Sequence, residues 1–244
     1  LTDYIQSVAE KKSENEVRKT VLHAVVYHLR RYNPNDIQLS RIDKDYILGF
    51  LDYLKTAKQT HTKKEKLLHV NTQVYYYKML RYCLNYAVSE ELISANPMKK
   101  IKNEEKPHKH RTEREYLTID ELRKLAQTPF YNGLLKKAFL FSCFCGLRHS
   151  DIIALTWGDI EMDDDGNFRL YIIQKKTKEA ISLPLSQEAI KQLPKREDAK
   201  EDDIIFKKLI TLGRTNEILP KWAEQAGIKK HITFHTARHT HATM

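Results

Sequence analysis

Three separate segments of the sequence carry cationic side chains in arrangements that suit chemistry at a phosphate group. Residues 144–152 (FCGLRHSDI) contain Arg148, residues 174–179 (QKKTKE) are rich in lysine, and residues 235–239 (HTARH) contain Arg238. A guanidinium group offers a planar fork of donors that matches two phosphate oxygens. Two such groups, if the fold brings them together, would grip a phosphodiester without a metal ion.

Other side chains of these segments suit proton transfer. His235 lies one helical turn before Arg238, so both side chains face the same side of a helix. The imidazole can exchange a proton with a nucleophile there. A lysine at the tip of a turn is mobile enough to reach the leaving oxygen as a general acid. Lys176 is the candidate, with Lys175 and Lys178 as alternatives.

The local sequence predicts that Arg148 is held on a short turn between two helices. Residues 134–144 are almost all apolar, which is typical of a buried helix. Gly146 is the expected terminator, because glycine enters the left-handed conformation without a steric penalty from Cβ. Ser150 is a suitable N-cap for the next short helix, with Asp151 in its first turn.

The periodicity of the second half predicts helices and a small antiparallel sheet. Thr118 begins a capping box, and runs of β-forming residues separated by polar turns are typical of hairpins. The predicted helices are 118–126, 134–144, 186–193, 206–212, 217–225 and a last one from about 233 through 244; the predicted strands are 159–162, 168–174 and 180–183. The turn 163–167 has three consecutive aspartates but lacks the ligand spacing of a calcium loop, which favours hairpin chemistry.

Residues 1–102 predict a wholly helical first domain. Its predicted helices are 1–9, 15–32, one capped by Asp43, and one capped by Asn71 that runs to about 88. On the last of these, Tyr75, Lys78 and Tyr82 share a face away from the apolar stripe. Tyrosine hydroxyls and ammonium groups donate well to a nucleic-acid backbone. The alternative is that these tyrosines are partly buried against a neighbouring helix.

Two polar segments lie outside the predicted helices. Residues 61–66 form a basic loop with Lys63 and Lys64, and residues 103–115 cannot bury apolar surface, which predicts a linker. The basic linker residues that could contact phosphate are Lys109, Arg111 and Arg114. Solvation without any nucleic-acid contact is the alternative for both segments. The predicted division is therefore 1–102, a linker at 103–115, and a second domain at 116–244.

Composition narrows the class of protein. A net charge of +10 over 244 residues favours a polyanionic partner, nucleic acid before membrane. The sequence shows neither a run long enough to span a bilayer nor the apolar region of a signal peptide. Its three cysteines suit buried free thiols in a reducing, cytoplasmic setting. The sequence contains no glycine-rich phosphate loop, so nothing in it predicts the binding of ATP or a dinucleotide. We therefore expect no cofactor.

Taken in order, the arginine turn, the hairpin lysine and the His-x-x-Arg motif behind a basic helical domain resemble the tyrosine recombinase (phage integrase) family. The resemblance implies a SAM-like core-binding domain followed by a mixed α/β catalytic domain. Lys176 lies eight residues before Pro184, where the family places its hairpin lysine, and Asp151 matches an acidic position that supports the active site. It also implies a site-specific recombinase of a bacterial mobile element that acts without metal or ATP.

The resemblance further implies cleavage through a tyrosine, a 3′-phosphotyrosyl link, and a homotetramer on double-stranded DNA. Members of the family continue after His-x-x-Arg with a His or Trp and then the nucleophilic tyrosine. Here the last tyrosine is Tyr171, inside a predicted strand, and the sequence given ends at Met244. We therefore expect the catalytic domain to be C-terminally incomplete, and the 244-residue chain alone not to cleave DNA.

Two other classes of protein fit part of the pattern. A truncated integrase that acts as a repressor or decoy would keep the basic surface and cut nothing. A metal-dependent nuclease would need ligands, and histidines cluster near the end of the sequence at 231, 235, 239 and 241. No acidic or cysteine partner lies near them in the sequence, which disfavours zinc. Cleavage in EDTA and trapping of a covalent adduct distinguish these classes.

Overall fold

The computed structural model describes residues 1–12, 15–59, 66–111 and 113–244. Contacts divide the chain into two compact units, Leu1–Thr112 and Glu113–Met244, and each has its own hydrophobic core. The chain is mainly helical with one small antiparallel sheet, which confirms the predicted fold class. Within the described ranges, no helix is both long enough and apolar enough to cross a membrane.

The described part of the first unit is built from helices, as predicted. Its α-helices are α1 (Thr2–Lys12), α2 (Glu16–Tyr32), α3 (Lys44–Thr56) and α4 (Val70–Ser89), with short 3-10 helices at Leu39–Arg41, Pro97–Lys100 and Asn103–Glu105. The Asn15 side chain accepts hydrogen bonds from two backbone N–H groups at the start of α2. Asp43 caps α3 through Tyr46 N at 2.8 Å, so the predicted cap is confirmed.

The predicted cap of α4 is wrong. His69 is the N-cap, because its Nδ1 accepts a hydrogen bond from the backbone N–H of Asn71 at 3.1 Å. The Asn71 side chain instead bonds both backbone groups of His110, at 3.1 and 2.9 Å. Glu105, in the same predicted linker, forms an ion pair with Lys44 of α3, with 2.8 Å between Oε1 and Nζ. The described residues of the predicted linker that precede 112 are thus attached to the first unit.

An imidazole lies inside the core of the first unit. His28 on α2 is 1% exposed, and its Nδ1 lies 3.2 Å from the hydroxyl of Tyr53. The rings of Tyr53 and Tyr76 lie 5.9 and 5.5 Å from the imidazole, centroid to centroid. Its Nε2 has no hydrogen-bond partner within the described part of the chain. Burial, helped by the charge of Arg31, lowers the pKa of His28 to about 4.

The second unit packs helices around a three-stranded sheet. Its helices are α5 (Ile119–Gln127), α6 (Gly133–Cys145), α7 (His149–Ile152), a 3-10 turn (Trp157–Asp159), α8 (Gln187–Ile190), α9 (Leu212–Gln225) and α10 (Phe234–His241); its strands are β1 (Ile160–Met162), β2 (Phe168–Ile173) and β3 (Ala180–Pro184). The strands run antiparallel in the order β1-β2-β3. All three predicted strands are confirmed within one residue at each end.

Four predicted helices of this unit differ from the structure, the first of them α8, which ends at Ile190 and not at residue 193. Residues 206–212 do not form a helix, because Lys208 adopts a positive φ of 66° and Ile204 forms an isolated bridge with Thr156. α9 begins earlier than predicted, at Leu212, where the Thr211 side chain caps it. The last helix is also shorter than expected.

The core of the second unit is centred on α6. Phe139 and Phe141 of α6 are fully buried, as are Trp222 of α9 and Phe234 of α10. The ring of Phe139 meets Trp222 at 6.0 Å and Phe234 at 5.9 Å in edge-to-face geometry. This packing places α6, whose end leads into the turn with Arg148, beside α10, which carries Arg238.

The buried imidazole predicts a specific loss of stability in acid. Because the folded-state pKa of His28 is lowered, its contribution is full above pH ~6.5 and is lost as pH falls towards about 4. The loss approaches about 3 kcal/mol of unfolding free energy. Urea unfolding at pH 7 and pH 4.5 should show this dependence weakened in His28→Phe and retained in His108→Gln, a change at an exposed histidine of the first unit. An unchanged pH dependence in His28→Phe would contradict it.

Candidate active site

The turn after α6 is fixed from inside the core. Gly146 has a φ of +67°, and its N–H donates to Ser142 O at 2.8 Å, so it ends the helix as predicted. The hydroxyl of Ser142 then donates to Leu147 O at 2.7 Å. Ser142 and Leu147 are both buried. The backbone that leads into Arg148 therefore has little freedom.

The helix that follows starts two residues earlier than predicted. Arg148, and not Ser150, is the N-cap of α7, because its carbonyl oxygen accepts from the N–H groups of Asp151 and Ile152 at 2.9 and 3.0 Å. The carboxylate of Asp151 reaches back to the N–H of Arg148 at 3.3 Å. Ser150 lies inside the helix with its hydroxyl 3.4 Å from Asp151 Oδ1.

Asp151 connects the arginine turn to the β2–β3 hairpin. Its side chain is buried, and Oδ1 accepts a hydrogen bond from the backbone N–H of Lys175 at 3.1 Å. Its Oδ2 lies 4.0 Å from Arg148 Nη1, which is a loose ion pair. The carboxylate thus holds two backbone segments at once, and its supporting role in the site stays a prediction.

Sequence reasoning missed the residue that contacts the Arg148 side chain most closely. Arg148 Nη1 donates to Gln174 Oε1 at 2.6 Å, and the hydroxyl of Thr177 donates to the same oxygen at 2.9 Å. Gln174 is 2% exposed. A signal was present, because counting by two from the buried Leu170 puts residue 174 on the inner face of the sheet.

α10 brings the second arginine to the same turn. Arg238 Nη1 donates to Gly146 O at 2.8 Å. The ring of His241 lies so close to Gly146 that an added Cβ would sit 2.5 Å from His241 Cδ2. The start of α10 is held by Phe234 N, which donates to Asn216 Oδ1 at 2.9 Å. The helix is thus docked on the end of α6.

The two histidines of α10 lie in a strongly positive setting. The rings of His235 and His239 are 4.5 Å apart, edge to face. Lost hydration lowers the pKa of His235, and the positive charges of His239, Arg238, Arg114 and Arg148 lower it further. Lost hydration and the same two arginines, Arg114 and Arg238, lower the pKa of His239. Both imidazoles therefore favour the neutral form, which can accept a proton.

Lys176 is positioned differently from the other predicted catalytic residues. It lies on the exposed turn between β2 and β3, and no hydrogen bond or ion pair of its ammonium group is found within the described ranges. Lys178 has a positive φ of 61°, and its N–H closes the turn on Gln174 O at 2.9 Å. Hydrogen bonds of Asp151 connect the backbone of Arg148 to the backbone of the β2–β3 turn. The side chain of Lys176 lies on the exposed tip of that turn, outside this set of contacts.

The structure describes most of the residues predicted to contact nucleic acid in the first unit, and they differ in exposure. A cleft of about 550 Å³ between α2 and α4 is lined by Tyr75, Lys78 and Lys109, all exposed. Tyr82 is half-buried with the guanidinium of Arg18 5.1 Å from its ring, so the alternative of partial burial applies to it. Among the remaining predicted residues, Arg111 is exposed, whereas Lys63 and Lys64 lie outside the described residues.

No group of three or more His, Cys, Asp or Glu side chains in the described part of the chain is arranged to hold a metal ion.

The close contact at Gly146 predicts a large effect of one methyl group. Gly146→Ala adds left-handed strain and a clash with His241, so we expect a loss of about 1–3 kcal/mol of unfolding free energy. Gly166→Ala is the matched control, because its φ is +81° but no atom lies within 4 Å of an added Cβ. Urea unfolding measures both. Equal losses in the two variants would contradict the close approach of the His241 ring to Gly146.

Two family models match consecutive parts of the chain. The phage integrase SAM-like domain matches residues 1–106, and the phage integrase family model matches residues 115–244. Tyrosine recombinase XerC of Pelotomaculum thermopropionicum is 23% identical over 259 residues, covering 98% of this chain and 80% of that protein. A tyrosine recombinase of Pseudothermotoga lettingae is 27% identical over 216 residues, covering 86% of this chain and 70% of that protein.

Solved structures share the fold at low sequence identity. A lambda integrase dimer (residues 75–356) bound to a COC′ core site has a TM-score of 0.74 and 20% identity, covering 99% of this chain and 85% of that chain. A lambda integrase tetramer bound to a Holliday junction has a TM-score of 0.71 and 20% identity, covering 99% and 70%. The second family model covers more than half of the chain. The chain therefore belongs to the phage integrase family of site-specific tyrosine recombinases.

Proposed function

We propose that this chain forms the core-binding and catalytic domains of a recombinase that cuts and rejoins DNA through a 3′-phosphotyrosyl intermediate. One observation carries the proposal: Arg238 donates to the carbonyl oxygen of Gly146, two residues before Arg148, although the two arginines are 90 positions apart in sequence. Two guanidinium groups at one turn suit the two non-bridging oxygens of a single phosphodiester. Family membership supplies the reaction class.

The role proposed for each side chain follows from its charge and protonation state. Attack by a phenol oxygen on phosphorus breaks the bond from phosphorus to the 5′ oxygen, and negative charge grows on the non-bridging oxygens. Arg148 and Arg238 stabilise that charge. Neutral His235 takes the phenol proton, because lost hydration and the surrounding cations lower its pKa and favour its neutral form. Lys176 gives a proton to the departing 5′ oxygen, for which its place at the tip of a turn is suitable.

We assign no nucleophile among residues 1–244, and propose that it is a tyrosine outside them. The tyrosines of the second unit have other surroundings. Tyr116 lies under the ammonium group of Lys230 at 5.4 Å, and Tyr131 meets Phe130 at 5.1 Å. Tyr171 is in β2, opposite Ser182 of β3. No contact of these three with Arg148, His235 or Arg238 is found among the described residues.

The proposed partner is double-stranded DNA, bound as a homotetramer by the complete protein. The net charge of +10 suits a polyanion, and the exposed Tyr75, Lys78 and Lys109 offer donors for phosphate oxygens. Arg114 lies near His235 and His239 and would add charge close to the cleaved bond. The lambda integrase tetramer on a Holliday junction is the precedent for the assembly.

The clamp is tested by comparing cleavage with binding. In the full-length protein, Arg148→Ala or Arg238→Ala should slow formation of the covalent adduct by roughly 10²–10³, the usual loss for one oxyanion donor. DNA affinity should change far less, because many other cations contact the backbone. Suicide-substrate trapping on a denaturing gel and a filter-binding titration measure the two quantities.

Arg123→Ala is the matched control, since Arg123 is exposed on α5 and pairs with Asp120 at 3.3 Å. Adduct formation at the wild-type rate in both clamp variants would contradict the proposal. Binding without any adduct from the wild-type protein would favour the repressor or decoy class. Cleavage that disappears in EDTA would favour a metal-dependent nuclease.

The general-acid role of Lys176 has its own test. Lys176→Ala should slow cleavage of a normal phosphodiester, whereas a 5′-phosphorothiolate, whose leaving group needs no proton, should largely restore the rate. Lys175→Ala and Lys178→Ala are controls on the same turn and should show no such rescue. If the thiolate rescues Lys175→Ala or Lys178→Ala and not Lys176→Ala, the acid is misassigned.

A further inference from the structure

We propose that Gln174 is a positioning residue that aims the guanidinium of Arg148 at the cleaved phosphate while leaving its charge unneutralised. The inference rests on the proposed function and deepens it, because it assigns a role to a residue between the arginine and the hairpin lysine. Its starting point is the shortest side-chain contact of Arg148, the 2.6 Å hydrogen bond from Nη1 to Gln174 Oε1.

The contact fixes how the amide is turned. A guanidinium group only donates hydrogen bonds, and the Thr177 hydroxyl donates to the same atom, so the carbonyl oxygen of Gln174 faces both. Gln174 is 2% exposed, whereas the Arg148 side chain is 21% exposed. The amide therefore holds the guanidinium from its buried side, and the remaining donors of Arg148 are left for a ligand that arrives from solvent.

The other half of the amide is left without a partner. Gln174 Nε2 is buried and makes no hydrogen bond within the described part of the chain. Buried amide donors without partners are destabilising, and an apolar side chain of similar size would avoid them. Since the neighbouring buried position of the same strand face is Leu170, folding alone would favour an apolar residue at 174 as well. The amide oxygen is the feature that such a residue would lack.

The anchors near Arg148 also leave its charge available. The Asp151 carboxylate stays 4.0 Å from Arg148 Nη1, and its oxygens accept from the backbone N–H groups of Arg148 and Lys175. The closest acceptor is therefore the neutral amide of Gln174. A glutamate in its place would keep the shape and the hydrogen bond but would pair its charge with the guanidinium. Phosphate would then meet a partly neutralised arginine.

Gln174 also closes the turn that carries Lys176. Its N–H donates to Glu179 O at 2.9 Å, and its carbonyl oxygen accepts from Lys178 N at 2.9 Å. Its side chain meanwhile holds Arg148. A single residue thus contacts both the proposed clamp and the turn with the proposed general acid. Its backbone hydrogen bonds to the turn do not depend on the side chain, so they can persist when the side chain is changed.

The test compares two substitutions in the full-length recombinase, Gln174→Met and Gln174→Glu. Single-turnover adduct formation is measured on a normal suicide substrate and on one with a methylphosphonate at the cleaved position, which lacks one negative charge. We expect both variants to lose about 10- to 100-fold on the normal substrate, the scale of a misplaced catalytic group. On the methylphosphonate, the deficit of Gln174→Glu should shrink to about threefold, because less charge needs stabilisation.

Controls separate positioning from folding. The same two substitutions at Gln225, exposed at the end of α9, should leave adduct formation unchanged. Gln174→Met should keep its DNA affinity and change its thermal midpoint little, since the loss of an unpartnered buried donor offsets the loss of the two hydrogen bonds at Oε1. If it does not fold, Gln174→Glu still decides the question through its two substrates.

Two results would overturn the role of Gln174 alone. One is a wild-type rate in Gln174→Glu, and the other is an equal deficit of Gln174→Glu on both substrates, which a merely structural role would produce. Failure of the wild-type protein to form an adduct is a different result. It would overturn the proposed function, and the role of Gln174 with it.

Discussion

The candidate site depends on the hydrogen bond from Arg238 to the carbonyl oxygen of Gly146, a contact between residues 92 positions apart. The last carbonyl groups of a helix lack partners inside it and carry partial negative charge. The end of α6 therefore attracts a cation, and Arg238 supplies one from α10. The left-handed turn at Gly146 allows this approach, because no Cβ stands between the backbone and His241. Docking α10 in this way brings Arg238 to the turn that carries Arg148.

A site that concentrates positive charge must keep that charge available to its ligand. Here the closest partners of both arginines are neutral oxygens, the amide of Gln174 and the carbonyl of Gly146. The carboxylate found near Arg148 in the described part of the chain, that of Asp151, accepts hydrogen bonds from backbone N–H groups. Neutral partners orient a guanidinium without cancelling its field, whereas a close carboxylate would compete with phosphate. Lost hydration lowers the pKa of His235 and the same field lowers it further, which favours a proton acceptor beside the clamp.

Local signals in the sequence were sufficient where the interaction is local. The terminator Gly146, the cap Asp43 and the capping box at Thr118 were predictable, because each depends on residues within one turn. Prediction failed at α4 because a distant contact decides there: the side chain of Asn71 binds the backbone of His110. It also failed at α7, where Arg148 and not Ser150 is the N-cap, although the contacts that decide this are local. The clamp residues could be named from their order, but the docking of α10 and the contact of Gln174 depend on tertiary packing. The roles of the predicted site residues remain predictions.

In the proposed mechanism, two arginines that are 90 positions apart in sequence act on one phosphate. The most direct measurement is a crystal structure of the protein bound to a duplex that contains its recombination site. The account predicts that the guanidinium groups of Arg148 and Arg238 lie within hydrogen-bond distance of the non-bridging oxygens of a single phosphate, with Gln174 Oε1 still bound to Arg148. Contacts of the two arginines with different phosphates, or with none, would contradict it.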